Sequence, residues 1–423
     1  MRHQVTSVFT HLISAAFGFA AFGLLARSLG GPEFGAWILV ITVMTTADLV
    51  RSGLVQTAVV RFMAREAAPE PGRSAAPDTQ RDEAVGSAWL VSACVTVLPA
   101  ALFVVTESLG LWLPFDGWSV VAAATLATTL PIQWSSWLAQ AEERFRVVLV
   151  LRVAPTALFA AIILLTRPRD PFEVGLYYAS AQAPTALFAL AAGWARSRSV
   201  TKATRLGVGR VLSFGRHTLT TTVSAGLLRS SKPLLIGLLA GPAAVAAFAI
   251  PQKLVEIVEI PLRGVSAALL PELSRIDPIA HPGRRRAVLL RWIIGLTVLC
   301  AVGAGLLGLF ATQLLARFAG DGYGDSAPLL RIFALALVVL PADRLTGIAL
   351  DAAGAPEKNA RKVLVLLAVS VTADALSLAA GLPVVACAVV YVFVTALGAG
   401  LGWFQAAPSI APAPRHKLSH APA

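Results

Sequence analysis

Leu24-Leu25-Ala26-Arg27-Ser28-Leu29-Gly30-Gly31-Pro32-Glu33-Phe34-Gly35 returns in part as Leu234-Leu235-Ile236-Gly237-Leu238-Leu239-Ala240-Gly241-Pro242. The offset is 210 (241 − 31), and Leu130-Pro131 against Leu340-Pro341 keeps it (341 − 131). Ala36/Ala246, Ala58/Ala268 and Arg65/Arg275 follow the same register. One unbroken offset in a chain of 423 residues implies two homologous halves. Internal duplication in an apolar chain is a mark of transporters.

The chain is 57% hydrophobic and 14% charged, with mean hydropathy +0.73. Soluble domains carry about a quarter charged residues, so this composition belongs in a bilayer. A helix needs roughly 20 apolar residues to cross the hydrocarbon. About twelve such segments are present, over roughly 7–27, 34–60, 85–106, 118–139, 147–166, 173–195, 214–240, 243–271, 287–316, 327–350, 363–380 and 382–405. The expected fold is an all-α polytopic membrane protein. An even number of spans per half makes the halves parallel repeats.

The basic residues set the expected orientation. With the N-terminus in the cytoplasm, the inner connections carry Arg61, Arg65, Arg73, Arg81, Arg144, Arg146, Arg196, Arg198, Lys202, Arg205, Arg210, Arg275, Arg284, Arg285, Arg286, Arg291, Lys358, Arg361 and Lys362. The outer ones hold only Arg27, Arg167, Arg169, Arg317 and Arg331, so both termini are expected inside the cell membrane. The net charge of +12 then fits anionic inner-leaflet lipids and needs no nucleic acid. Three domains are expected: residues 1–213 with a basic seam at 196–210, residues 214–405, and a disordered tail at 406–423. Residues 66–83, rich in Pro and charge, read as a flexible loop.

Cys94, Cys300 and Cys387 lie in apolar segments without metal or redox spacing and read as small buried hydrophobes; no metal or cofactor is expected. Pro131 and Pro341 fall mid-span at equivalent places, and Pro251 and Pro261 both interrupt the eighth span. Each removes a backbone hydrogen bond and bends its helix. Two readings stand for these kinks: static packing, or a bend that moves between two states.

The run from Leu24 to Gly35 resembles the first helix-to-helix connection of bacterial polysaccharide exporters and oligosaccharide (O-antigen type) flippases. These belong to the multidrug/oligosaccharidyl-lipid/polysaccharide (MOP) exporter superfamily. Arg229-Ser230-Ser231-Lys232-Pro233-Leu234-Leu235-Ile236-Gly237, followed by Ala244 to Ile250, is similar to the same family's seventh-to-eighth helix region. The resemblance implies two six-helix bundles around a central cavity. It also implies a flippase that carries a polyprenyl-diphosphate-linked oligosaccharide outward by alternating access, beside glycan polymerases and glycosyltransferases. Members often carry an acidic residue just before the position of Lys232; here it is Ser231, which weakens any coupling scheme built on a carboxylate there.

Charges inside the spans cost about 2.5–3.5 kcal/mol each and need partners or water. Arg51, Arg229, Lys232, Lys253, Arg263 and Arg344 are the basic ones, and Asp48, Glu256, Glu259, Asp343 and Asp374 the acidic. Asp48 and Arg51 stand three apart, and Lys253, Glu256, Glu259 and Arg263 descend one face of the eighth span, so these read either as ion pairs or as a cavity wall or coupling site. Arg229 and Lys232 share a face with no acid on their own helix. They suit a diphosphate, with Arg51, Arg263 and Arg344 as further members of the cradle. The competing reading pairs them with Asp374 or Asp343.

Trp134 and Trp137 read either as sugar-stacking rings or as an interfacial belt, and Trp112 and Trp118 as a belt on the other side. Three other functions remain open at this level, one of them a non-transporting scaffold for glycan assembly. A cation-coupled drug exporter wants a predominantly acidic cavity, yet the first span has no acid. A membrane-bound glycan polymerase or acyltransferase wants an outer active-site loop, for which Asp321 and Asp325 are the only suggestion.

Overall fold

A computed structural model describes residues 2–67, 78–112, 114–197, 201–276 and 283–410. The readings for most of the 66–83 loop and for the end of the tail fall outside these residues. The described chain is helical throughout: α1 (Arg2–Ser28), α2 (Gly31–Ala67), α3 (Asp78–Ser108), α4 (Trp118–Ala141), α5 (Phe145–Thr166), α6 (Pro171–Ser197), α7 (Arg205–Ala240), α8 (Pro242–Ser274), α9 (Arg284–Leu309), α10 (Ala311–Ala319), α11 (Ala327–Ala352), α12 (Pro356–Ala379) and α13 (Val385–Ile410). Twelve of these have 22 to 37 residues, and only α10 is short. Among the described residues, eight helices, namely α2, α3, α5, α7, α9, α11, α12 and α13, meet both the length and the apolarity needed to cross a bilayer. Leu98 of α3 is 68% exposed and Val298 of α9 60%, which places apolar side chains where acyl chains would be.

The opening motif builds the same joint twice. α1 stops at Ser28 and α2 starts at Gly31-Pro32; α7 stops at Ala240, Gly241 turns with φ +85°, and α8 starts at Pro242. Proline suits a helix start because its missing N–H would have had no partner there. The two joints also touch: a Cβ on Gly35 would come within 1.7 Å of the Pro242 carbonyl oxygen. Pro131 in α4 and Pro341 in α11 likewise occupy equivalent places, and both helices continue through them.

The chain divides into two compact units, Met1–Ala247 and Phe248–Ala423. In the first, α2 is the central helix, packed on α3, α4 and α7, while α1 lies on α5. Glycines let α7 run close along α2: Gly215 against Leu54, Gly226 against Leu49 and Gly237 against Leu39. The start of α7 is pinned to α3, where Asp82 pairs with Lys202, Glu83 accepts from the Thr204 hydroxyl, and the Thr204 N–H donates to Ser87 Oγ at 3.4 Å. Glu107, at the end of α3, accepts from the backbone N–H groups of Gly117 (2.7 Å) and Ser119 (3.2 Å), so a carboxylate from one helix holds the N-terminus of α4. In the second unit, α11 is sandwiched between α9 and α13, and α12 packs on α13.

Several expectations need correction. The ninth span breaks at Phe310 into α9 and α10. Lys362 is no loop residue: α12 begins at Pro356, and Lys362 is 3% exposed within it. Trp118 is 1% exposed and gives its ring N–H to the Trp112 carbonyl, so it is core rather than belt. Trp134 and Trp137, at 1% and 4%, pack with Val55, Val59, Val91 and Val211 and offer no open ring face to a sugar or a headgroup. Cys94 is exposed, whereas Cys300 and Cys387 are buried as expected.

Candidate functional site

In the first unit the charge at the centre of α2 is neutralised on the spot. Arg51, 1% exposed, donates to Asp48 Oδ1 at 2.6 Å, Thr96 Oγ1 at 3.0 Å and Thr129 Oγ1 at 3.2 Å. Asp48 Oδ2 accepts from Gln133 Nε2 at 3.0 Å. Three helices thus converge on one ion pair. The two hydroxyls and the amide could not be assigned from spacing within a single helix, because they come from α3 and α4.

Arg229 and Lys232 lie one turn apart on α7, but the structure treats them differently. Lys232 is 2% exposed, enclosed with Ser231, Pro233 and Ile236, whereas the Arg229 side chain is exposed. Arg229 also lies in the apolar stretch of α7 that ends at Ala240, eleven residues before that end (240 − 229). It is therefore about 16 Å along the helix from that end, at about 1.5 Å per residue. No acidic residue exists on α7, and Arg229 has no ion pair among the described residues.

Among the described residues of the second unit, three ion pairs join charges of α8, α11 and α12. Lys253 bonds Glu256 at 2.8 Å along α8; Arg344 of α11 reaches Glu259 of α8 at 3.3 Å; Lys362 of α12 donates to Asp343 of α11 at 2.8 Å, and to the Asp343 carbonyl at 3.0 Å. Two glycines of α13 make room for the last pair: a Cβ on Gly398 would meet Asp343 Oδ1 at 2.4 Å, and one on Gly402 would meet Thr346 Oγ1 at 2.1 Å. Asp374 is fully buried and accepts from Ser370 at 3.2 Å. The backbone of α8 carries Pro251, Pro261 and Arg263 as one helix; the side chains of the last two fall outside the described set.

One intramembrane cation, inside the expected span 147–166, is missing from the charges picked out in the sequence. Arg152 sits half-buried in α5, beside α1, where its carbonyl accepts from Ser14 at 3.4 Å. The internal repeat would have flagged it, since 152 + 210 = 362 and the equivalent residue is Lys362. A basic group is thus retained at one place in both halves, although the other intramembrane charges differ between them. No cluster of His, Cys, Asp and Glu suited to a metal occurs among the described residues.

Residues 5–277 match the family described as polysaccharide biosynthesis protein. The chain belongs to that family. No curated protein matches it in sequence. Among solved structures, this member of the polysaccharide biosynthesis family is similar to an inward-facing multidrug resistance MATE family transporter of the MOP superfamily, with 16% identity, TM-score 0.73, and 95% of this chain and 94% of that one covered. It is also similar to a MOP superfamily transporter from Pyrococcus furiosus described as having a binding pocket of reverse polarity (16% identity, TM-score 0.65, 96% and 95% covered). An outward-facing MATE transporter gives 15% identity and TM-score 0.63, with 99% and 96% covered. Identities this low establish the fold: this family member has the MOP transporter architecture and is a multi-pass membrane protein.

Proposed function

We propose that this protein translocates a polyprenyl-diphosphate-linked oligosaccharide across the cytoplasmic membrane by alternating access, for the assembly of a cell-surface polysaccharide. The observation that carries the reading is the exposed side chain of Arg229 within the apolar stretch of α7. A cation there is stable only against water or an anion. A diphosphate, multivalent and rich in acceptor oxygens, is the group that a guanidinium fork serves best, and it is also the part of a lipid-linked sugar that cannot cross hydrocarbon unaided. Membership of the polysaccharide biosynthesis family supports the same substrate. Lys232, buried one turn away, would join Arg229 only after a movement of α7. Arg51 and Arg344 keep their acidic partners, each within its own unit. Arg263 stays a member of the cradle on sequence alone.

Replacing Arg229 with Gln should cause the lipid-linked saccharide to accumulate in the inner leaflet at normal protein levels, read by leaflet-specific lipid analysis. Unchanged export in that variant would remove the proposed anion contact. Drug resistance on expression, with no glycan defect on deletion, would instead identify a multidrug exporter.

A further inference from the structure

Along α2, Thr45, Asp48, Ser52 and Gln56 follow at intervals of three, four and four residues, and along α4 Thr129, Gln133, Ser136 and Gln140 follow at four, three and four. These spacings put each set on one side of its helix. The two sides face each other: Arg51 to Thr129, Gln133 to Asp48, and Gln56 Nε2 to Gln140 Oε1 at 3.4 Å. Thr45 is exposed, and Ser52, Gln56, Gln133 and Gln140 are half-buried, so the stripe is open along one edge. It extends over eleven residues of α2 (56 − 45), about 16 Å. Groups this polar cannot face acyl chains.

We propose that this α2–α4 stripe is the subsite for the saccharide, in a reading that rests on the transport function above. One acceptor is already waiting. Gln133 Oε1 is buried and receives no hydrogen bond. Its orientation is fixed, because Asp48 only accepts and the amide must turn its NH2 towards that carboxylate. A sugar hydroxyl supplies the missing donor once the α2–α4 edge parts to admit it. The stripe's amides and hydroxyls both donate and accept, as sugar hydroxyls do, and its two charges, Asp48 and Arg51, cancel. A neutral stripe has no pull on a cationic drug or a second phosphate. Register supports the assignment: Thr46 Oγ1 donates to Ser230 Oγ at 3.2 Å, so Arg229, the neighbour of Ser230, stands level with the Thr45 end. A diphosphate at Arg229 and sugars lying towards Gln56 and Gln140 then follow in the order in which they are joined in the carrier lipid.

The test uses the full chain in proteoliposomes, with two probes: bare polyprenyl diphosphate, and the saccharide-bearing carrier isolated from cells depleted of the protein. Gln56→Leu/Gln140→Leu should slow flipping of the saccharide-bearing carrier about tenfold and leave the bare carrier within about twofold. Equal loss on both probes, or no loss on either, overturns the subsite. Should the double variant fold poorly, Gln56→Ala, which leaves Gln140 bonded to Ser136, carries the same comparison. Wild-type protein that flips neither probe refutes the transport reading itself, a result separate from failure of the stripe.

Discussion

Lys362 shows what a buried charge demands of its surroundings. At 3% exposure it is tied to Asp343, and α13 gives up two side chains, at Gly398 and Gly402, so that the pair fits. Removing the acid leaves Lys362 buried and uncompensated, so Asp343→Leu should cost about 3–5 kcal/mol. Asp343→Leu/Lys362→Met together should recover most of that loss, because the desolvation of both charges disappears. Thermal unfolding of the purified variants in detergent measures both effects, and additive losses would show that the pair is not the source. Single residues of this kind were only partly legible in the chain. The intramembrane acids could be picked out by composition, but partners such as Thr96, Thr129 and Lys362 come from other helices, and no spacing rule within one helix reveals them.

At the level of elements, the helices and their joints follow from the sequence because glycine and proline punctuate them twice in one register. What the chain did not disclose is contact between joints. Gly35 has no room for a methyl group against the Pro242 carbonyl, and its repeat equivalent (35 + 210) is Val245, fully buried. Gly35→Ala should therefore destabilise the protein by about 1–3 kcal/mol through overpacking, read as a lower unfolding temperature. Gly295→Ala, in α9 with nothing within 4 Å, should be neutral or slightly stabilising. Glu107 makes a second element-scale case. Glu107→Gln removes the charge from the hydrogen bonds to the start of α4 and should cost roughly 1–2 kcal/mol, seen in the same unfolding curves. A loss confined to Glu107→Ala would mean that shape, and not charge, holds the turn.

For the molecule as a whole, the excess of Arg and Lys on one set of connections predicts sidedness. A membrane-impermeant maleimide added to intact cells should label Thr312→Cys in α10 and spare Thr201→Cys, with the native cysteines replaced. The opposite pattern would invert the assigned topology. The duplication itself is only approximate in space, and α10 shows how it diverged. The offset of 210 holds on both sides of the α9–α10 break, at Gly241 and at Pro341, so there is no net insertion between them. Positions 100–108 continue α3 as helix, while their equivalents, 310–318, turn aside into α10. The end of α9 carries Gly303, Gly305 and Gly308, each worth up to about 1 kcal/mol less helix stability than alanine, and α3 has none at the equivalent positions 93, 95 and 98. The two copies of one segment thus differ in architecture without any net change in length, and a comparison that tracked only gaps would miss the difference.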